Sequence, residues 1–190
     1  MSLTLVLPTQ DHLPAYVAAL EHGWSPDNTA GGEATRRAQL AKITDDPDGL
    51  LAGMDDPEGR AGDVILPDGT AVKRLPGIVR WMWDGDFCGS IGFRWQAGTE
   101  ALPDYVLGHI GYSVVPWKRR LGHASAALGL MLPQARARGL RWVEITTETD
   151  NIPSQRVIEA NGGVLVGRFD KPQAHGGHDG LRWRVDLAPR

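Results

Sequence analysis

"VVPWKRRLGHASAALGLML", residues 114–132, passes from a β-branched pair through a proline and a basic run into small and apolar residues. A strand that stops at Pro116 and yields to a helix opening near Gly122 points the first free N–H groups of that helix outward from the sheet edge. Those donors, the positive end of the helix dipole and a glycine that permits close approach suit an anionic phosphate. Arg119 and Arg120 add positive charge to the same turn. The G-x-x-x-x-G-K-[ST] of a nucleotide-hydrolysing loop is missing, and no G-x-G-x-x-G follows a strand. An ordinary strand–helix joint with solvated arginines shares this local pattern, so the surrounding sequence has to decide.

Immediately before the turn, "HIGYSVV" (109–115) reads as a strand. After it, Leu128, Met131, Leu132 and Ala135 fall on one face of a helix expected over 122–138, stopped by Gly139. Pro133 inside that helix removes one bond and meets the carbonyl of Gly129, which predicts a kink. "RWVEITTE" (141–148) is the next strand, and Asn151 caps a short helix, "IPSQRVIEAN", ended by Gly162. "GVLVGRFD" and "LRWRVDL" then flank a glycine-rich hairpin.

Upstream, "IVRWMWDGDFCGSIGFRW" (78–95) is two strands around a tight Asp84-Gly85-Asp86 turn. At the N-terminus Leu3, Leu5 and Leu7 alternate as a strand, Thr9 is the expected cap of a helix carrying Leu13, Tyr16, Val17 and Leu20, and residues 33–44 suit a second helix. Between Asp45 and Gly77 the chain is rich in Asp, Gly and Pro, with "LPDG" marking a turn. It is expected to be a surface excursion on the substrate side, too polar to supply core. Its acidic cluster, Asp45, Asp46, Asp48, Asp55, Asp56 and Glu58, suits either plain solvation or attraction of a cationic substrate. The element order predicts an α/β (α+β) fold, with a mixed, largely antiparallel central sheet of about seven strands flanked by about four helices.

A length of 190 residues suits one domain spanning 1–190, in three parts: an N-terminal part (1–77), a core (78–170) and a C-terminal hairpin and strand (171–190). A net charge of -3 with no persistently basic face argues against nucleic acid. Cys88 is the only cysteine, which excludes an intrachain disulfide and suits a reducing compartment. The start carries no basic leader and no stretch is long and apolar enough for a bilayer, so a cytoplasmic protein without a membrane partner is expected.

"RRLGHA", residues 119–124, fits the [RQ]-x-x-G-x-[GA] signature of the GNAT superfamily of acyl-CoA-dependent N-acyltransferases. "NIPSQRVIEANGGVLVGRF" resembles the N-x-x-[SA]-x-x-[VL]-x-x-x-x-G stretch of that family, through Asn151, Ser154, Val157 and Gly163. The resemblance covers about residues 78–170, with the N-terminal helices matching in order only. It points to the bacterial "predicted acetyltransferase" branch. It implies that main-chain groups of Val114 and Val115 pair with a pantetheine arm, and that amides of Arg119, Arg120, Leu121, Gly122, His123 and Ala124 hold a pyrophosphate. Asn151 and Ser154 would contact the arm from the next junction. Acetyl-CoA is the implied co-substrate, the acceptor a primary amine of a small molecule or protein, and relatives are often homodimers.

The implied reaction is direct attack of an amine on the thioester, which needs a base for the amine and a stabilised oxyanion. His109 lies near the position of the carboxylate base in some relatives, and its ordinary pKa suits proton transfer at neutral pH, although a merely structural role suits it equally. Glu144 is the second candidate and Glu148 the third. The tyrosine that protonates the departing thiolate in many relatives is replaced by Ile158. Tyr112 either approaches the thiolate from another side or packs in the core. A non-catalytic acetyl-CoA-binding regulatory module is the alternative that Ile158 raises.

Other residues carry weaker signals. His175 and His178 lack a convincing fourth ligand, so no metal is expected. Cys88 has no Cys-His-Asn context for acyl transfer. Trp81 and Trp83 share a sheet face that is either core or acceptor wall, and Trp24 either borders the acceptor cleft or packs.

Overall fold

The computed structural model describes residues 2–28, 31–66, 69–171, 177 and 179–187. Strand β1 (Thr4–Val6) leads into helices α1 (Leu13–Glu21), α2 (Gly32–Asp45) and α3 (Pro47–Met54). Short strands β2 (Asp55–Asp56), β3 (Asp63–Ile65) and β4 (Ala71–Lys73) precede the long pair β5 (Gly77–Trp83) and β6 (Phe87–Arg94). Then come β7 (Ile110–Val114), a 3-10 turn (Pro116–Lys118), α4 (His123–Ala137), β8 (Trp142–Glu148), α5 (Ile152–Ala160), β9 (Gly163–Asp170) and β10 (Asp179–Asp186). Two antiparallel sheets carry the fold, ordered β1-β5-β6-β7 with β2 also on β5, and β8-β10-β9; β3 and β4 form a separate hairpin.

Period-two alternation builds both sheets. Ile78 and Met82 of β5 face one way and join Ile91, Ile110, Val143, Ile145, Trp183 and the buried side of α4 (Ala127, Leu128, Met131, Ala135) in one core. Trp81 faces the other way and joins Tyr16, Leu20, Trp24, Leu50 and Phe87 in a second core under α1 and α3. Trp81 is fully buried and stacks on Tyr16 at 4.6 Å, so it is core. Burying aromatic and aliphatic side chains of this size stabilises by roughly 1.5–3 kcal/mol each. Asp84-Gly85-Asp86 turns β5 into β6 as expected, with Gly85 at φ 116°. No helix among the described residues is long and apolar enough to cross a membrane.

The mixed α/β class holds, with three strands and one helix beyond expectation. All four lie between Asp45 and Gly77, and that segment does supply core: Leu50, Leu51 and Met54 of α3 are buried. Asp46 caps α3 by accepting from the Gly49 N–H at 2.8 Å, and Pro47 opens the helix. Asp56 accepts from the Arg60 and Ala61 N–H groups at 2.8 and 2.9 Å, bonds that hold its pKa below the ordinary carboxylate value. Asp55 pairs with Arg80 at 2.7 Å. These three acids therefore serve their own chain. Thr9 also differs from expectation, because the α1 cap is His12, with no side-chain cap bond. The Thr9 hydroxyl instead meets His12 Nδ1 at 2.8 Å.

Candidate active site

The site grows from a seam in the sheet. The Arg94 N–H donates to the His109 carbonyl at 2.9 Å, and the Val115 N–H to the Cys88 carbonyl at 3.0 Å. Odd-numbered residues of β7 thus serve β6, which turns the main chain of Tyr112 and Val114 towards β8. β7 and β8 are not paired. A single main-chain bond, His109 N–H to Glu144 carbonyl at 2.8 Å, joins them at one end. At the other end the Tyr112 hydroxyl reaches Ser154, past the end of β8. The strands accordingly run in the same sense and diverge from a closed end at His109–Glu144. A Cβ on Gly108 would lie 3.1 Å from the Glu144 carbonyl oxygen, which is why the close end takes a glycine.

His109 is fully buried. Its Nδ1 accepts from the Glu144 N–H at 2.9 Å, so in the neutral ring the proton sits on Nε2, which has no partner among the described residues. Burial lowers its pKa from 6.5, against a smaller raising pull from Glu144. Burial and the bond to Glu144 accord with the structural one of the two roles open to His109. Its geometry is that of a fastener holding β7 to β8.

The turn at 119–125 lies at the open end. Arg120 at φ 66° and Gly122 at φ 82° are both left-handed, and Gly122 precedes α4 without any side-chain cap. The N–H groups of six consecutive residues, Arg120 to Ser125, have no partner among the described residues. Arg119, Arg120, Leu121 and Gly122 are exposed, while His123 and Ala124 are half-buried. Arg119 Nε donates to the Val114 carbonyl at 3.2 Å, bending the basic side chain back over the seam. Of the two valines named from sequence, only Val114 presents its main chain to the gap.

Across the gap, Asn151 Oδ1 accepts from the Ser154 N–H at 3.1 Å and caps α5. The Tyr112 hydroxyl lies 2.7 Å from Ser154 Oγ, and burial pushes the phenol up to about 12. Ile158 is fully buried in the first core. On the opposite face, Glu144 receives Arg184 at 3.1 Å and lies 3.7 Å from Arg182. Arg184 covers the Trp142 ring at 3.9 Å. The α1–α2 connection leans on β7 there: Trp24 Nε1 donates to Ser113 Oγ at 3.0 Å, and that hydroxyl donates to the Ser25 carbonyl at 2.9 Å. Beyond β8, Glu148, Thr149, Asp150, Gly177 and Asp179 line an open cleft of about 650 Å³. Lys171 pairs with Glu148 at its edge.

His175 and His178 lie outside the described residues. Cys88 is buried, and burial pushes its thiol up to about 11, which does not suit a nucleophile. Sequence reasoning missed Asp84 and Lys118, which meet behind the phosphate turn at 2.6 Å. No local pattern announces a pair separated by 34 positions.

A sheet split between two strands of the same sense, with a row of unbonded amides at the mouth of the split, is the architecture of an acyltransferase that draws on a thioester carrier. The chain belongs to the GNAT acetyltransferase family, whose acetyltransferase (GNAT) domain model matches residues 2–164. Its fold is similar to that of Mycobacterium smegmatis RimJ in complex with CoA-disulfide, at TM-score 0.66 and 20% identity over 97% of this chain and 81% of that one. It is also similar to RimL, the ribosomal L7/L12 alpha-N-protein acetyltransferase, in complex with coenzyme A (TM-score 0.64, 17% identity, 98% and 94% covered). The microcin C7 self-immunity acetyltransferase MccE, in complex with acetyl-CoA and AMP, matches at TM-score 0.60 and 11% identity, with 97% and 92% covered. No curated protein matches the chain in sequence.

Proposed function

We propose that the protein transfers an acetyl group from acetyl-CoA to a primary amine by direct attack on the thioester. One observation carries this reading: the six open amides from Arg120 to Ser125 stand at the mouth of the gap that Val114 faces. The diphosphate sits on those amides with the Arg119 and Arg120 guanidiniums beside it, and the pantetheine arm runs inward along the open edge of β7. Arg119 then exchanges the Val114 carbonyl for phosphate. Solved relatives of the same fold hold CoA or acetyl-CoA, which supports the same carrier here.

Entering at the mouth, the arm brings its thioester into the gap between the Tyr112 hydroxyl at the open end and Glu144 at the closed end. The amine lone pair attacks the carbonyl carbon, an N–H from the edge of β7 receives the oxyanion, and collapse breaks the C–S bond. Glu144, which faces Arg182 and Arg184, takes the proton of the amine through water. The Tyr112–Ser154 hydroxyl pair returns a proton to the thiolate. His109 fixes the strand junction. Holding both reactants side by side supplies the proximity term.

The acceptor is an exposed amine entering from the cleft beside Glu148, where the Asp150 and Asp179 carboxylates favour an ammonium group in approach. RimL acts on the α-amino group of ribosomal L7/L12, which supports a protein N-terminus as the first acceptor to try. The test is calorimetric binding of CoA together with thiol release from acetyl-CoA over a panel of amines and N-terminal peptides. Turnover on any acceptor supports the reading. The buried Ile158, where many relatives carry a tyrosine, favours the second reading of a non-catalytic acetyl-CoA-binding module. Tight CoA binding with no turnover on the whole panel would establish that one instead.

A further inference from the structure

Behind the phosphate turn lies a cluster that the acyl transfer does not use. Asp84, in the β5–β6 turn, accepts from Lys118 Nζ through Oδ1 at 2.6 Å, and its Oδ2 lies 3.3 Å from His123 Nε2, outside hydrogen-bond alignment. Lys118 Nζ also lies 3.6 Å from Cys88 Sγ and 4.0 Å from Asp86 Oδ2. Asp84, Cys88 and His123 bring possible metal-binding atoms within 4.8 Å of one another. The ammonium of Lys118 already occupies the cation position against Asp84 and Cys88, so the cluster reads as a closed set of charges.

Its place in the chain gives it a purpose. Lys118 ends the 3-10 turn and His123 is the first residue of α4. Between them lie Arg119 to Gly122, the segment whose amides face the carrier. That segment is held in a costly shape, because Arg120 is the only described non-glycine residue with positive φ. Both ends of the turn therefore converge on one carboxylate supplied by a different element. We propose that Asp84 is the positioning residue for acyl-CoA binding: it clamps Lys118 by an ion pair and abuts the His123 ring, so that the strained turn between them keeps its amides aimed at the diphosphate. This rests on the acetyl-CoA reading given above.

The sign of the effect separates a clamp from simple electrostatics. Asp84 is a negative charge near an anion site, and removing it also frees the Lys118 charge. By Coulomb attraction alone, Asp84→Asn should bind CoA more tightly. A clamp predicts the opposite.

The experiment is calorimetric binding of CoA to the wild-type protein and to Asp84→Asn, followed by acetyl-CoA saturation curves. The expected result is CoA binding weakened roughly tenfold or more, KM for acetyl-CoA raised in proportion, and kcat at saturation within about twofold. Asp84→Glu, which keeps the charge, should recover part of the affinity. Equal or tighter CoA binding by a folded Asp84→Asn protein overturns the clamp. If that variant does not fold, Lys118→Met severs one side of the clamp, and unchanged CoA binding there overturns it equally. Absence of CoA binding by the wild-type protein would remove the acetyl-CoA reading itself, a result distinct from failure of the clamp.

Discussion

The Tyr112 hydroxyl stands 2.7 Å from the Ser154 hydroxyl, bridging β7 and the first turn of α5 across the gap that no main-chain bond closes. Either oxygen can donate to the other, and the Tyr112 hydroxyl also donates to the Ser154 carbonyl at 3.3 Å, a longer bond that a sulfur arriving between the strands would replace. Burial keeps the phenol protonated far above neutral pH.

Tyr112→Phe removes the donor and keeps the ring. If the pair protonates the thiolate, kcat falls by about 10²-fold or more while CoA binding changes little. Stopped-flow or steady-state thiol release, alongside calorimetry, checks this. An unchanged kcat would mean that water protonates the leaving group. Ser154→Ala should lower kcat as well, because it breaks the same relay.

Gly122 tests the phosphate turn. A Cβ there would meet nothing within 4 Å, so the strain of a substitution lies in the backbone at φ 82° rather than in a clash. Gly122→Val forces a β-branched residue into the left-handed region, at roughly 1–2 kcal/mol or more. The turn should move instead of the core, giving a folded protein with CoA affinity reduced at least about tenfold. Circular dichroism and calorimetry together report the two halves of that outcome.

His109 should show itself in stability against pH. Its folded pKa lies below the unfolded value of 6.5, so the unfolded chain binds the extra proton first. The buried neutral ring contributes stability in full above the unfolded pKa, and that stability is lost as pH falls through the lower folded value. The wild-type melting temperature should drop on acidification below about 6.5. His109→Gln should flatten that drop while leaving the pH–rate profile of acetyl transfer unchanged above it. Loss of the acidic limb of the rate profile in that variant would identify the ring as the base.

Arg119 and Arg120 act through charge on an exposed turn, so their contribution should be screened by salt. Arg119→Gln is expected to weaken CoA binding several-fold and to make it less sensitive to ionic strength. Comparing dissociation constants at low and high sodium chloride decides it. The variant also frees the Val114 carbonyl, which a merely electrostatic role would not affect.

Much of the architecture was legible before any coordinates. The β5–β6 pair announced itself by alternation around Asp84-Gly85-Asp86, and α5 by Asn151 followed by Pro153. The turn at 119–124 was legible because glycine, arginine and a following apolar helix each obey a local rule. Helix α3 was not, since Asp46, Pro47 and Gly49 are also the residues that punctuate loops. Only packing of Leu50 and Leu51 against distant Tyr16 and Trp24 turns them into a cap and a first helical turn. For His109 the sequence leaves a base and a structural role open, for a related reason. Its residue type suits proton transfer, but its burial depends on how β7 meets β8. Asp84 could be read as a turn residue, and nothing near it in sequence pointed to Lys118 or His123.

The seam has a consequence for how the molecule breathes. Neighbouring amides on β7 serve different masters: those of Ser113 and Val115 face β6, while those of Tyr112 and Val114 face open space. Deuterium uptake along this one strand should therefore alternate, fast at even positions and slow at odd ones. Loading the carrier should slow the even set alone, as though a missing strand had been threaded into the sheet.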